Sequence, residues 1–118
     1  MIYKVALWID DIRPIPTNYM EDYGVNRVIW CHSTNEAIST WLLWEALSAN
    51  EKIKITRIDL DHDAGDYAND GGDFINFLNW LELAQVDMTK ISWHIHSFNP
   101  VGKENMRRII EKNGAYCI

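Results

Sequence analysis

The stretch Tyr3-Lys4-Val5-Ala6-Leu7-Trp8-Ile9-Asp10-Asp11 is a mostly apolar run that stops abruptly at two adjacent carboxylates. It predicts a strand over Tyr3 to Ile9 with a polar site at its end. Pro14 and Pro16 rule out its continuation as a central strand. Working outward, a second apolar run covers Arg27 to Cys31 and a third covers Ile53 to Leu60. A fourth covers Ile91 to His96, and the last residues, Ala115 to Ile118, read as a final short strand.

Helical patterns alternate with these runs. Among Ser33, Thr34, Asn35 and Glu36, one small polar residue can cap a helix that carries Ala37, Trp41, Trp44 and Leu47 at three- or four-residue spacing and ends near Asn50. A second helix is expected from Gly72 to Ala84, with Asp70 or Asp73 complementing its dipole. Asn99-Pro100 opens a third, since Asn is a good N-cap and Pro suits the first helical position; Gly114 ends it. The stretch between the first two strands can hold a short helix around Asn18 to Tyr23. Strands alternating with helices predict an α/β fold in three layers, receiver-like (flavodoxin-like), with a five-stranded parallel sheet. Residues 1–118 read as one domain.

Composition narrows the function. The chain has 118 residues, a formal net charge of -6 and 24% charged residues. A surplus of acid argues against general phosphate-backbone binding to nucleic acid. It leaves room for a small anionic ligand, because a bound cation or a helix N-terminus reverses the local field. Cys31 and Cys117 are too few for a disulfide scaffold and read as buried thiols. No signal-peptide pattern and no apolar run of about 20 residues are visible. The chain is therefore expected in the cytoplasm, with no membrane contact.

In an open parallel sheet, ligands bind beyond the carboxyl ends of the strands. The unusual polar clusters all fall there: Asp10-Asp11 after the first strand, Asp59 to Asp63 closing the third, and His94, His96, Ser97 and Asn99 closing the fourth. Adjacent carboxylates repel unless a cation lies between them. Asp10, Asp11, Asp59, Asp61 and Asp63 together suit a hard divalent ion, Mg²⁺ or Mn²⁺. The alternative is that these aspartates cap helices and turns. His62 and His96 can do acid–base work or ligate metal; His94 and His32 are read as structural. Ser97 and Asn99, just before a helix start, make a candidate phosphate cradle, and Arg13 can pair with Asp11 or reach a phosphate.

Taken together, WIDDIRPIP (8–16), IDLDHD (58–63), DGGDF (70–74) and IHSFNPVGKENM (95–106) resemble the cyclic-phosphate processing receiver domain family over nearly the whole chain. The resemblance implies a role on cyclic phosphates, with Asp10, Asp11, Asp59, Asp61, His62, Asp63, His96, Ser97, Asn99 and Asn105 as the matching positions. Two features depart from ordinary receivers: the aspartate lies within a D-x-D-H-D run, and no lysine follows the final strand. The leading expectation is a metal-dependent phosphoesterase acting on a cyclic nucleotide or an RNA-end cyclic phosphate. Asp61, His62 and His96 would be catalytic, and Arg13, Ser97, Asn99 and Asn105 would bind substrate. The alternatives are a non-catalytic cyclic-nucleotide binder and a degenerate receiver-type interaction domain.

Overall fold

The computed structural model describes residues 1–50 and 52–117. Its sheet consists of β1 (Tyr3–Ile9), β2 (Arg27–Cys31), β3 (Ile53–Leu60) and β4 (Ser92–Ile95), in the order β2-β1-β3-β4. Every pairing is parallel. The helices are α1 (Tyr19–Tyr23), α2 (Thr34–Leu47), α3 (Ile75–Leu83) and α4 (Pro100–Lys112).

The sheet has four strands, which corrects the expectation of five. The intended fifth contributes a single parallel bridge, Trp93 to Cys117. The reason lies in how α4 ends. Gly114 takes a left-handed conformation (φ 84°), and the Ala115 N–H turns back to the Ile110 carbonyl. That is a helix-terminating arrangement, and it removes the first strand donor from the sheet. Only Tyr116 and Cys117 then remain beside β4; Ile118 lies outside the described residues.

One face of the sheet carries almost all the helical packing. Val5, Leu7 and Ile9 of β1 and Ile58 and Leu60 of β3 share one buried cluster with Trp41 of α2, Phe77 and Leu81 of α3, and Met106 and Ile110 of α4. The other face is thinner: Ala6 and Trp8 pack on Tyr19 and Val25, with Ile15, Val28 and Trp30 around them. β1 is therefore apolar at consecutive positions because both of its faces are covered. Trp93 is fully buried in the larger cluster, and its indole N–H donates to the Met88 carbonyl at 3.0 Å.

Helix starts follow local chemistry. Ser33 caps α2, its hydroxyl accepting the Glu36 N–H at 3.0 Å. Asp70 was expected to serve α3 but is spent on α2: it accepts Ser33 Oγ at 2.6 Å and Asn35 Nδ2 at 3.0 Å. Asp73 likewise turns away from α3, accepting the Ala64 N–H at 3.0 Å, so α3 starts at Ile75 with no side-chain cap. Asn99 caps α4 as expected, accepting the Gly102 N–H at 2.9 Å.

Both cysteines are free, Cys31 buried and Cys117 half-buried. Burial pushes the Cys31 thiol up to about 12, so little thiolate exists at neutral pH. In the native protein at pH 8 a chromogenic disulfide reagent is expected to titrate Cys117 first and to reach Cys31 only on unfolding. Two thiols reacting together at the faster rate would contradict this packing.

Candidate functional site

β1 connects to β2 through α1 on one face of the sheet, while β3 connects to β4 through α3 on the other. The carboxyl ends of the neighbouring strands β1 and β3 thus form the topological switch point, where open α/β sheets place their ligands. Asp10 and Asp11 leave the end of β1 there. Asp61 follows β3, held by its own N–H to the Ile9 carbonyl at 2.9 Å. Ligand oxygens of Asp10, Asp11 and Asp61 all lie within 4.8 Å of one another. The separate segments read from the sequence do meet.

Asp10 is the fixed member. It is 1% exposed, and its Oδ1 accepts the N–H groups of Ile12 (3.0 Å) and Arg13 (2.7 Å). Its Oδ2 lies 2.8 Å from His96 Nε2. The His96 ring stacks on Trp8, with centroids 4.2 Å apart and an interplanar angle of 7°. Burial holds the His96 pKa below the ordinary imidazole range, against the opposing pull of Asp10. At neutral pH a neutral ring donates from Nε2 to Asp10, which leaves Nδ1 buried with no hydrogen-bond partner among the described residues. Asp11 has the opposite problem. Burial, followed by the nearby charges of Asp10 and Asp61, raises its pKa. Three carboxylates held this close are electrostatically unsatisfied, and an all-oxygen donor set suits a hard divalent cation.

Gly65 was not singled out in the sequence, yet it closes over Asp11. A Cβ there would lie 2.3 Å from Asp11 Oδ2, and its φ of +53° favours glycine in any case. The signal available was its place directly after the acidic run.

Arg13 binds the two loops together. Its backbone N–H caps Asp10, and its Nη1 donates to the His96 carbonyl at 2.9 Å. Its guanidinium lies 5.0 Å from the centroid of the Phe98 ring. Asp10, Asp11, Ile12, Arg13, Asp61, Asp63 and Phe98 line an open pocket of about 470 Å³. A larger depression, about 690 Å³, lies at the opposite end of the sheet, between the end of α2 and the start of β3, remote from this chemistry.

Several expected residues are placed elsewhere. Asp59 does not join the Asp10–Asp11–Asp61 group, because it lies inside β3, level with Trp8 on the thinner face, whereas Asp61 follows the end of the strand. It is 1% exposed, receives two bonds from Arg57 (2.9 and 3.0 Å), and accepts the Tyr19 hydroxyl. The Arg57 guanidinium in turn stacks 3.7 Å from the Tyr23 ring centroid. Asp59 is thus occupied as a structural anion. Asn105 is exposed on α4 and does not line the pocket. Ser97 serves its own loop, its Oγ accepting the Asn99 N–H at 3.0 Å, while Asn99 caps α4 through Oδ1 and donates from Nδ2 to Asp63 Oδ1 at 3.4 Å.

His62 belongs to a second group with Asp63 and Asp73, also within mutual ligand distance. Its Nδ1 lies 2.7 Å from Asp63 Oδ1, and this hydrogen bond lowers the Asp63 pKa. The other side of the ring meets α4: a Cβ at Gly102 would fall 2.5 Å from His62 Cγ. Gly102→Ala is therefore expected to displace His62 or the start of α4, costing about 1–3 kcal/mol in denaturant unfolding. An unchanged midpoint with an unmoved His62 NMR signal would refute that contact.

Fold and site together define a receiver-like α/β domain with an acidic pocket at the switch point of a parallel sheet. The chain belongs to the cyclic-phosphate processing receiver domain family, whose family model matches residues 5–112. Neither a curated protein nor a solved structure matches it. Among the described residues, no helix is long and apolar enough to cross a membrane.

Proposed function

We propose that this domain opens a cyclic phosphate ester with the help of a divalent cation, Mg²⁺ or Mn²⁺, held by Asp10, Asp11 and Asp61. The observation that carries the reading is the meeting of those three carboxylates, one of them tied to His96, at the switch point of the sheet. Membership of a cyclic-phosphate processing family supports the substrate class. When bound, the cation neutralises the pocket and polarises a phosphoryl oxygen.

The residues of the chain then divide the work. Asp10, held by two N–H groups and His96, presents its carboxylate in one orientation. His96 acts as a positioning residue, since its Nε2 is engaged and its Nδ1 is buried. Asp61 takes the proton of the attacking water. Water oxygen bonds to phosphorus, one P–O ester bond of the ring breaks, and the departing oxygen takes a proton. His62, oriented through Nδ1 by Asp63, is the donor of that proton. Arg13 draws in the anionic phosphate, while Ser97 and Asn99 hold the loop beside it.

The test is a chromatographic assay of 2′,3′- and 3′,5′-cyclic nucleotides with Mg²⁺ and with Mn²⁺. A ring-opened monoester is the expected product. No turnover of any member with either metal would overturn the catalytic reading. A second reading, a binder without catalysis, is favoured by the engagement of His96; binding without product would select it.

A further inference from the structure

We propose that Phe98 is a stacking platform for a nucleobase, so that the phosphate taken by this pocket is carried by a nucleotide rather than by an aliphatic alcohol. This rests on reading the pocket as a cyclic-phosphate site. Phe98 is 91% exposed and Ile12 is 77% exposed, and both line the pocket that also holds Asp10, Asp11 and Asp61. A lone exposed apolar side chain means little on any surface. Here three further facts give it a direction.

First, the ring is already half of a stack. The Arg13 guanidinium lies over it at 5.0 Å, and is itself fixed by the His96 carbonyl at 2.9 Å. A cation on one face leaves the opposite face for a planar partner. Second, the loop that carries Phe98 is fastened on both sides. Ser97 Oγ accepts the Asn99 N–H and Asn99 caps α4, so little ordering remains to be done when a ligand docks. Third, the platform borders the carboxylate cluster within one pocket, as a ligand with an anionic end and an aromatic end requires. Every nucleobase offers a π-face, so such a platform suits nucleotides without choosing among bases. An acidic surround also disfavours a ligand whose second end is anionic.

The test is calorimetric titration in Mn²⁺, with ligand integrity checked by chromatography afterwards. The ligands are the 2′,3′- and 3′,5′-cyclic monophosphates of adenosine and uridine. Glycerol 1,2- and 1,3-cyclic phosphate are the base-free counterparts of equal ring size. The proteins are wild type, Phe98→Ala and Phe98→Trp. Phe98→Ala is expected to lose about 5- to 100-fold in nucleotide affinity while its affinity for the base-free rings falls far less. Phe98→Trp is expected to retain nucleotide binding. The platform is overturned if Phe98→Ala weakens both ligand types equally or neither of them. Wild-type protein that binds neither type would overturn the cyclic-phosphate reading itself and the platform with it, an outcome distinct from the first two.

Discussion

Asp61→Asn is expected to lower cyclic-phosphate turnover by at least about a hundredfold, the scale at which disturbing even the supporting shell of a metal site is felt. The same substitution is expected to raise the melting temperature of the metal-free protein. Asp61 shares its site with Asp10 and Asp11, while the guanidinium of Arg13, in the same pocket, is spent on the His96 carbonyl and the Phe98 ring. Asp11 registers that crowding, since burial and the charges of Asp10 and Asp61 both oppose its ionisation. Amide for carboxylate removes one negative charge at nearly constant shape, so repulsion falls and the fold gains. Cation binding reverses the order. At a Mn²⁺ concentration about 100 times its Kd, the wild type is expected to gain about 2.7 kcal/mol. Asp61→Asn should gain much less. Differential scanning fluorimetry with and without Mn²⁺ reads both halves. A variant that is active, or one that is less stable than wild type without metal, would contradict the assignment.

Asp59→Ala is expected to behave in the opposite manner, losing about 3–5 kcal/mol of stability, with no recovery on adding Mn²⁺. Asp59 lies in the same acidic run as Asp61, but its carboxylate is closed off from solvent. Its partners are the bidentate Arg57 and the buried Tyr19 hydroxyl. Burial, then the hydrogen bond to Asp59, raises the Tyr19 pKa, so the phenol remains the donor throughout the ordinary pH range. Truncation would leave the Arg57 guanidinium, only 11% exposed as a side chain, without its counter-charge. Such a loss is a large share of the roughly 5–15 kcal/mol that holds a domain of this kind together. Tyr19→Phe, which removes only one hydrogen bond, is expected to cost about 1 kcal/mol. Urea unfolding of the two variants separates these cases. Equal and small losses would return Asp59 to the functional site.

The contrast between Asp59 and Asp61 shows what the sequence could disclose. Apolar runs placed β1, β2 and β3 at their observed bounds, and those of β1 and β3 stop at acid, β1 being covered on both faces. The order of those runs also brought Asp10, Asp11 and Asp61 to one edge. Spacing could not separate Asp59 from Asp61, since the two share a strand parity and differ only in where the strand stops. The tether of His96 to Asp10 spans 86 positions and has no local signature. Gly65 and Gly102 were equally hidden: each is glycine because a distant side chain, Asp11 or His62, occupies the space of its Cβ. Asn99 was legible as a cap; its Oδ1 caps α4 while its Nδ2 reaches Asp63, which lines the pocket. The missing fifth strand depended on where the Ala115 N–H goes, which a helix end decides and a short apolar tail does not reveal.

The most direct measurement is an anomalous difference map from crystals of the wild-type protein soaked in Mn²⁺. The expected result is one strong peak within coordination distance of Asp10, Asp11 and Asp61, absent from Asp61→Asn crystals treated in the same way. A peak at His62, Asp63 and Asp73 instead, or no peak at either group, would contradict the account.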